Sequence, residues 1–242
     1  MASPLPIPAP QGRGLSVSRV RGRGWRDGNY APPLAPVFAL QPVPMDDPLP
    51  PDPFALFGQW FAEAKTTEPS YPEALTLAAV DARGRPSART VLLKGWDERG
   101  FVFYTNLEGA KGSALAATGQ AEALFYWKSS ERQVRVGGPV EIVADAEADT
   151  YFNRRPRGSQ IGAWASLQSR PMPARGSLDE RVAVYEAKFP DAVPRPPHWS
   201  GWRILPDRFE FWEERAFRQH ERWTYEPAAA PATGWHIQRL YP

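Results

Sequence analysis

The chain has 242 residues, 42% of them hydrophobic and 12% aromatic, enough for one large globular domain with a sizeable core. It has no cysteine, which excludes disulfides, thiol nucleophiles and thiolate metal sites and fits a reducing cytosol. The net charge of +2 hides an asymmetry: residues 1–44 hold five arginines and one aspartate, leaving 24 basic and 26 acidic residues, a balance unlike that of a general nucleic-acid binder.

Residues 1–53 hold 13 of the 28 prolines, with GRG at 12–14 and RGRG at 21–24. No hydrophobic period survives this, so residues 1–51 read as a disordered tail and residues 52–242 as the folded domain. The tail lacks the apolar core of a secretory signal, and its prolines forbid the amphipathic helix of a transit peptide. Met45 offers an alternative start, in which case residues 1–44 are not made. No apolar run reaches membrane-spanning length. His198, His220 and His236 show no metal-ligand spacing, so no metal is expected.

Order begins at Asp52, an N-cap followed by proline at the first helical position. Phe54, Phe57, Trp60, Phe61 and Ala64 then give one apolar face, read as core. From Ala74 the period changes. Segments 74–80, 87–93 and 101–106 are strand-like and separated by turn-rich DARGRP and GWDERG, which implies antiparallel pairing. Alternation puts Arg89 on one face and Thr90 and Lys94 on the other. A short helical stretch at 109–119 precedes strands at 121–127 and 131–144. Within the latter, Gly137-Gly138 marks a bulge or a close backbone approach. Glu131 and Arg132 read as a strand-end ion pair.

Asp145 is expected to cap the next helix, which runs into YFNRRPRGSQIGAWASLQS (151–169). Tyr151 and Arg155 are four apart and share a helical face. Pro156 biases Arg155 away from helical angles, so this helix should end there, with Ser159 as N-cap of a second, short one. Exposed N–H groups at a helix start, beside an arginine and hydroxyls, form an anion site suited to phosphate. Arg154 and Arg157 read as surface or dimer contacts and Trp164 as packing. Ser177 and Glu180 predict a capping box for a helix ending near Phe189. Strands at 202–205, 208–212, 222–225 and 235–240 follow, around the charged run EERAFRQHER (213–222). Short strands with helices inserted suggest an α+β protein, mainly antiparallel β, built on a barrel. No Gly-rich loop of the Rossmann or P-loop kind is present. Three basic clusters stand out: Arg89/Lys94/Lys111, Arg154/Arg155/Arg157 and Arg215/Arg218/Arg222. No nucleophile triad or carboxylate pair does, so cofactor chemistry is the better expectation.

RTVLLK (89–94), FYTN (103–106), ERQVR (131–135), the 151–169 stretch and FEFWEERAFRQHER (209–222) together resemble the pyridoxamine 5′-phosphate oxidase family over residues 52–242. The resemblance implies an FMN-binding split β-barrel with peripheral helices, and a homodimer with sites shared between subunits. It implies a cytoplasmic vitamin B6 enzyme that oxidises pyridoxine or pyridoxamine 5′-phosphate to pyridoxal 5′-phosphate. O2 is the acceptor and H2O2 the by-product, with NH3 released from the amine. Carried over by position, the substrate phosphate falls to Lys94, Tyr151, Arg155 and Ser159. Arg218 and His220, the catalytic pair, close over the substrate ring from the partner. FMN falls to Arg89, Thr90, Val91, Leu92, Leu93, Lys94, Tyr104, Thr105, Lys111, Gln133, Gln168, Ser169, Trp212 and Arg222. Trp212 is read as a flavin wall, with Arg89 and Lys111 on the FMN phosphate. His198 and His236 receive no role.

Two positions depart from the family pattern. Ala110 stands where arginine usually precedes Lys111, removing a contact worth ~1.5–3 kcal/mol, so FMN is expected to bind tenfold or more weakly. Phe217 is bulkier than expected before Arg218. Competing readings are an FMN oxidase of a phenazine-type substrate, a non-catalytic flavin or pyridoxal-phosphate carrier, and nucleic-acid binding through the tail.

Overall fold

The computed structural model describes residues 49–230 and 233–242. The tail and alternative-start expectations for residues 1–48 lie outside the described residues. Helix α1 (Pro53–Thr67) starts as predicted, with the Asp52 side chain accepting from the Phe54 N–H at 3.0 Å. Its face Phe57, Trp60, Phe61 and Ala64 is buried. The Phe57 ring packs edge-on against Phe101 at 4.8 Å and Phe125 at 5.2 Å. Such pairs add ~0.5–1.5 kcal/mol beyond burial alone.

The strands are β1 (Ala74–Val80), β2 (Pro86–Leu92), β3 (Gly95–Asp97), β4 (Gly100–Asn106), β5 (Gln120–Trp127), β6 (Arg132–Ile142), β7 (Trp199–Ile204), β8 (Arg208–Glu213), β9 (Glu221–Pro227) and β10 (Trp235–Arg239). They form one curled, antiparallel sheet with the order β10-β9-β8-β6-β5-β1-β2 and a branch through β7, β4 and β3. The helices are α1, α2 (Ala110–Thr118), α3 (Asp145–Asn153), α4 (Arg157–Ala165) and α5 (Ser177–Lys188). This is the expected α+β split barrel with peripheral helices. No helix among the described residues is long and apolar enough to cross a membrane. Alternating residues of the strands, including Leu75, Leu77, Ala123, Phe125, Val134, Val136, Phe209 and Phe211, bury against α1.

The branch point is β6. It pairs with β5 in an unbroken register from Gln120↔Pro139 to Trp127↔Arg132, so there is no bulge there. On its other edge it pairs with β8 over residues 132–137 and with β7 over 140–142. Gly137-Gly138 sits at the change of partner and is a close backbone approach. A Cβ on Gly138 would lie 2.0 Å from the Leu205 carbonyl oxygen. The Leu205 and Asp207 N–H groups donate to the Pro139 and Gly137 carbonyls at 2.8 and 3.0 Å.

Several local expectations fail for identifiable reasons. Strand β3 lies inside the run read as turn. Asp145 is the first residue of α3 and caps nothing, because Arg195 takes its carboxylate at 2.7 Å. Ser177 forms no capping box; its Oγ accepts from the Ala174 N–H at 3.2 Å. Arg132 pairs with Glu213 at 3.0 Å and with Glu63 rather than with Glu131. Arg157 is on the surface, as expected, and its guanidinium also donates to the Phe189 and Asp191 carbonyls.

Tyr225 ties β9 to the segment before α1, its hydroxyl donating to the Pro50 carbonyl at 3.0 Å. Burial, assisted by the Asp52 carboxylate, pushes its pKa from 10.0 up to about 12. A group whose pKa is raised on folding stabilises fully below its unfolded value and loses that contribution as pH climbs through the folded value. Urea midpoints should therefore fall between pH 10 and about 12, and more gently in Tyr225→Phe, which costs ~1 kcal/mol at neutral pH for the lost hydrogen bond. Gly138→Ala is expected to cost ~2–3 kcal/mol in the same assay through its clash with backbone. Gly158→Ala is the control: its Cβ meets nothing within 4 Å, and the change should be neutral or gain up to ~1 kcal/mol of helix propensity.

Candidate active site

The chain turns sharply between α3 and α4, and the turn is where the site is built. Helix α3 ends at Asn153, and α4 starts at Arg157 with Pro156 in the N-cap position at φ −54° and ψ 142°. The Pro156 carbonyl accepts from the Ser159 and Gln160 N–H groups at 2.8 and 3.1 Å. Ser159 is therefore inside the first turn of α4, not its cap. The preset φ of proline suits a helix start, and the cap needs no side chain. Arg155 falls in the link between helices, outside the helix that carries Tyr151.

Tyr151, Arg155 and Ser159 still converge on one cavity of about 610 Å³. Thr90, Val91, Leu92 and Lys94 reach it from the β2 region, and Tyr104 and Thr105 from the end of β4. Lys111 from α2 and Gln168 beyond α4 complete this lining, with Trp199 at the start of β7. Lys111 Nζ donates to Gln168 Oε1 at 2.7 Å and to Thr105 Oγ1 at 3.1 Å. Gly109 permits this approach, since a Cβ there would lie 2.7 Å from Gln168 Oε1. Tyr104 stacks on Tyr151 at 4.0 Å and on Trp199 at 5.3 Å.

The electrostatics are one-sided. Lys94, Lys111 and Arg155 line the cavity, and among the described residues no carboxylate does. Lys94 Nζ has only a loose contact with Glu73, at 3.8 Å. Burial lowers the Lys111 pKa, helped by the charge of Arg89. Burial likewise lowers the Arg155 pKa, and Arg155 Nη1 is buried without a partner among the described residues. Burial raises the pKa of Tyr104 to about 12 and raises that of Tyr151. Desolvated cations with unsatisfied donors and neutral hydroxyls around them are the lining an anion requires. The cavity volume is within the ~300–1,000 Å³ usual for small-molecule sites.

Other expected site residues lie elsewhere. Arg89 is not among the residues lining the cavity; its guanidinium donates to the Leu77 and Ser87 carbonyls and to Ser87 Oγ, close enough for its charge to act on Lys111. Leu93 is buried in the core. Ser169 has φ +69°, and its Oγ accepts from the Ala110 N–H at 3.1 Å. Gln133, Trp212 and Arg222 form a separate row across β6, β8 and β9. Arg222 is held there by Glu210 at 2.9 Å. The His220 ring packs on Trp212 at 4.7 Å, and its Nδ1 accepts from the Arg215 N–H at 3.3 Å. Arg218 is exposed nearby at φ +60°, following Phe217, 92% exposed and also left-handed at φ +58°. Sequence reasoning missed Trp199. It precedes the strand segment predicted from Trp202, and only the pairing of Trp199 with Asn106 across β7 and β4 brings it to the cavity.

Comparison with known proteins gives a consistent result. A family model described as pyridoxamine 5′-phosphate oxidase matches residues 62–189. The pyridoxine 5′-phosphate oxidase C-terminal dimerisation region matches residues 199–242. The pyridoxine/pyridoxamine 5′-phosphate oxidase of Azorhizobium caulinodans is 56% identical over 192 residues, covering 79% of this chain and 90% of the relative. That of Rhodospirillum rubrum is 54% identical over 197 residues, covering 79% and 96%. Among solved structures, PhzG from Burkholderia lata 383, in complex with tetrahydrophenazine-1-carboxylic acid, aligns with a TM-score of 0.75 and 32% identity over 81% of this chain and 95% of that one. A related FMN-binding protein from Nostoc punctiforme shares the fold at a TM-score of 0.62 and 19% identity, over 78% and 96%. Two matched regions in register, and identity above one half across the cavity-forming segments, leave one assignment: the chain belongs to the pyridoxamine 5′-phosphate oxidase family.

Proposed function

We propose that the chain is an FMN-dependent oxidase converting pyridoxine or pyridoxamine 5′-phosphate to pyridoxal 5′-phosphate. The observation that carries this reading is the carboxylate-free cavity in which Arg155 Nη1 is buried without a partner, beside Tyr151 and Ser159. In the proposal Lys94, Tyr151, Arg155 and Ser159 hold the substrate phosphate. Lys111, Thr105, Gln168 and the Thr90–Leu92 segment hold FMN, with Arg89 acting on the FMN phosphate through its field rather than from the cavity wall. Cations without carboxylates suit two phosphorylated ligands, so the lining fits the cofactor. When bound, FMN supplies the hydride acceptor for substrate C4′ and passes the electron pair to O2, giving H2O2. The protein orients the ring, neutralises both phosphates and keeps water from the reacting carbon.

Trp212, Arg218, His220 and Arg222 are absent from the cavity wall and lie in the matched dimerisation region. This supports a homodimer in which Arg218 and His220 of one copy close the site of the other. Their proposed role is to orient the ring and hydrogen-bond its polar groups. Gln133 and Trp212 enter the same shared site as a flavin wall, and Ser169 supports it through Ala110. A second reading, oxidation of a phenazine-type carboxylate, rests on the likeness to PhzG, but identity with the vitamin B6 oxidases is much higher.

The test is pyridoxal phosphate and H2O2 formation from pyridoxine 5′-phosphate in air, at low and high FMN. Turnover is expected, and a requirement for high FMN would reveal the contact missing at Ala110. No turnover of either phosphorylated substrate with FMN demonstrably bound would overturn the reading. Arg155→Gln should raise KM by about 10–100-fold, as loss of a charged hydrogen bond predicts, with FMN affinity by fluorescence quenching unchanged.

A further inference from the structure

We infer that Trp199 is a positioning residue of the anion corner. The face of its indole holds the Arg155 guanidinium over the cavity and seats Tyr104, and through it Tyr151. The inference rests on the functional reading above, in which Arg155 and Tyr151 bind the substrate phosphate.

An arginine that must bind an incoming anion has to be held by something other than an anion. A carboxylate partner would orient it but would also occupy its donors and compete with the ligand. Among the described residues Arg155 has no such partner, and it carries a long, flexible side chain whose ordering is entropically costly when nothing fixes it. Its Cζ lies 4.6 Å from the centroid of the Trp199 ring and 5.6 Å from that of Phe152. Stacking on a ring face leaves the N–H donors free in the guanidinium plane, and indole is the strongest aromatic partner for a cation. The contact therefore fixes the arginine without spending its hydrogen bonds.

The ring is itself fixed. Trp199 is 6% exposed. Its backbone is pinned on both sides: the main-chain N–H donates to the Pro196 carbonyl at 3.0 Å, and the main-chain carbonyl accepts from Arg195 at 2.9 Å. Arg195 also pairs with Asp145 at 2.7 Å and Asp149 at 2.5 Å, both on α3. The plate that holds Arg155 is thus tied to the helix that carries Tyr151. The three rings are nearly parallel: Trp199 and Tyr104 at 10°, Tyr104 and Tyr151 at 12°. Moving the indole would release two phosphate-binding side chains together.

Simple core packing predicts a loss of stability without selectivity, and a double-mutant cycle separates the two roles. Trp199→Leu, Trp199→Phe, Arg155→Gln and Arg155→Gln/Trp199→Leu are compared as FMN-saturated protein. Two quantities are measured: KM and kcat for pyridoxine 5′-phosphate, and inorganic phosphate affinity by calorimetry. Trp199→Leu should raise KM and weaken phosphate about 2–30-fold, the range of a cation–π contact, and by more than any change in kcat. Trp199→Phe, which keeps a ring face, should restore most of the loss. In the Arg155→Gln background Trp199→Leu should add little. Equal losses in both backgrounds, or Trp199→Phe as poor as Trp199→Leu, would overturn the inference; should the leucine variant not fold, Trp199→Met, which also lacks a ring face but fills more of the space, is compared in both backgrounds with the same expectation. Weakened phosphate binding in a protein without oxidase activity would keep the inference and sink the substrate reading. Oxidase activity with unchanged phosphate affinity in Trp199→Leu would do the reverse.

Discussion

Two arginines in this fold, Arg203 buried and Arg155 half-buried, have opposite surroundings, and the site depends on the contrast. Arg203 on β7 is 3% exposed and faces three carboxylates, Glu147 at 2.7 Å with Asp97 and Glu141 at 3.5 Å. Its charge is used up in holding α3, β3 and β6 together. Arg155 faces none, and one of its nitrogens is buried unsatisfied. Burying a cation in that state is costly and persists only where the surrounding structure enforces it. The enforcement comes from a small separate core. Phe152, Ile161, Val193 and Trp199 pack beneath the α3–α4 turn, with Trp164, Tyr185 and Phe189 around them. Arg195 and Arg203 grip α3 through Asp145, Asp149 and Glu147, which anchors the helix that leads into the turn. Stability invested in these contacts is what leaves Arg155 available for the proposed anion.

The sheet supplies the other half of the geometry. Because β6 changes partner at Gly137-Gly138, β4 and β7 are peeled away from the β8–β9 side. The end of β4, carrying Tyr104 and Thr105, is thereby delivered to the α3–α4 turn. The same split leaves Gln133, Trp212 and Arg222 as a row on the other side of the branch. One chain therefore presents two half-sets of the proposed ligand-binding side chains on separate surfaces. A homodimer is the economical way to join them, and the dimerisation region matched at residues 199–242 covers most of the second half-set.

Much of this was legible in the sequence where signals are local. The Asp52-Pro53 cap and the aromatic stripe of α1 both follow from neighbours a few residues away. The convergence of Tyr151, Arg155, Pro156 and Ser159 on one cavity was legible too, because they are close in sequence. What failed was decided by distant partners. Asp145 was diverted from capping by Arg195, fifty residues on, and Arg132 from Glu131 by Glu63 and Glu213. Trp199 had no local signature, since its role exists only through strand pairing with β4. Ser159 was misread for a different reason: proline caps a helix through backbone angles, so a hydroxyl three residues on was credited with the cap and is instead free to face a ligand.

The vacancy at Ala110 shows how such local and distant effects combine. The residue contributes no charge, but its N–H donates to Ser169 Oγ and so fixes the chain directly after Gln168. Gln168 in turn accepts from Lys111 through the gap that Gly109 leaves open. Lys111, with its pKa lowered by burial and by Arg89, is oriented by neutral oxygens only. An arriving phosphate would restore a preference for the charged amine, because opposite charge favours the protonated form. The cation at this end is therefore held as Arg155 is held at the other, by groups that do not compete for it. On the proposed function, a cavity built on that rule at both ends would select for phosphorylated ligands before any contact with their rings is made.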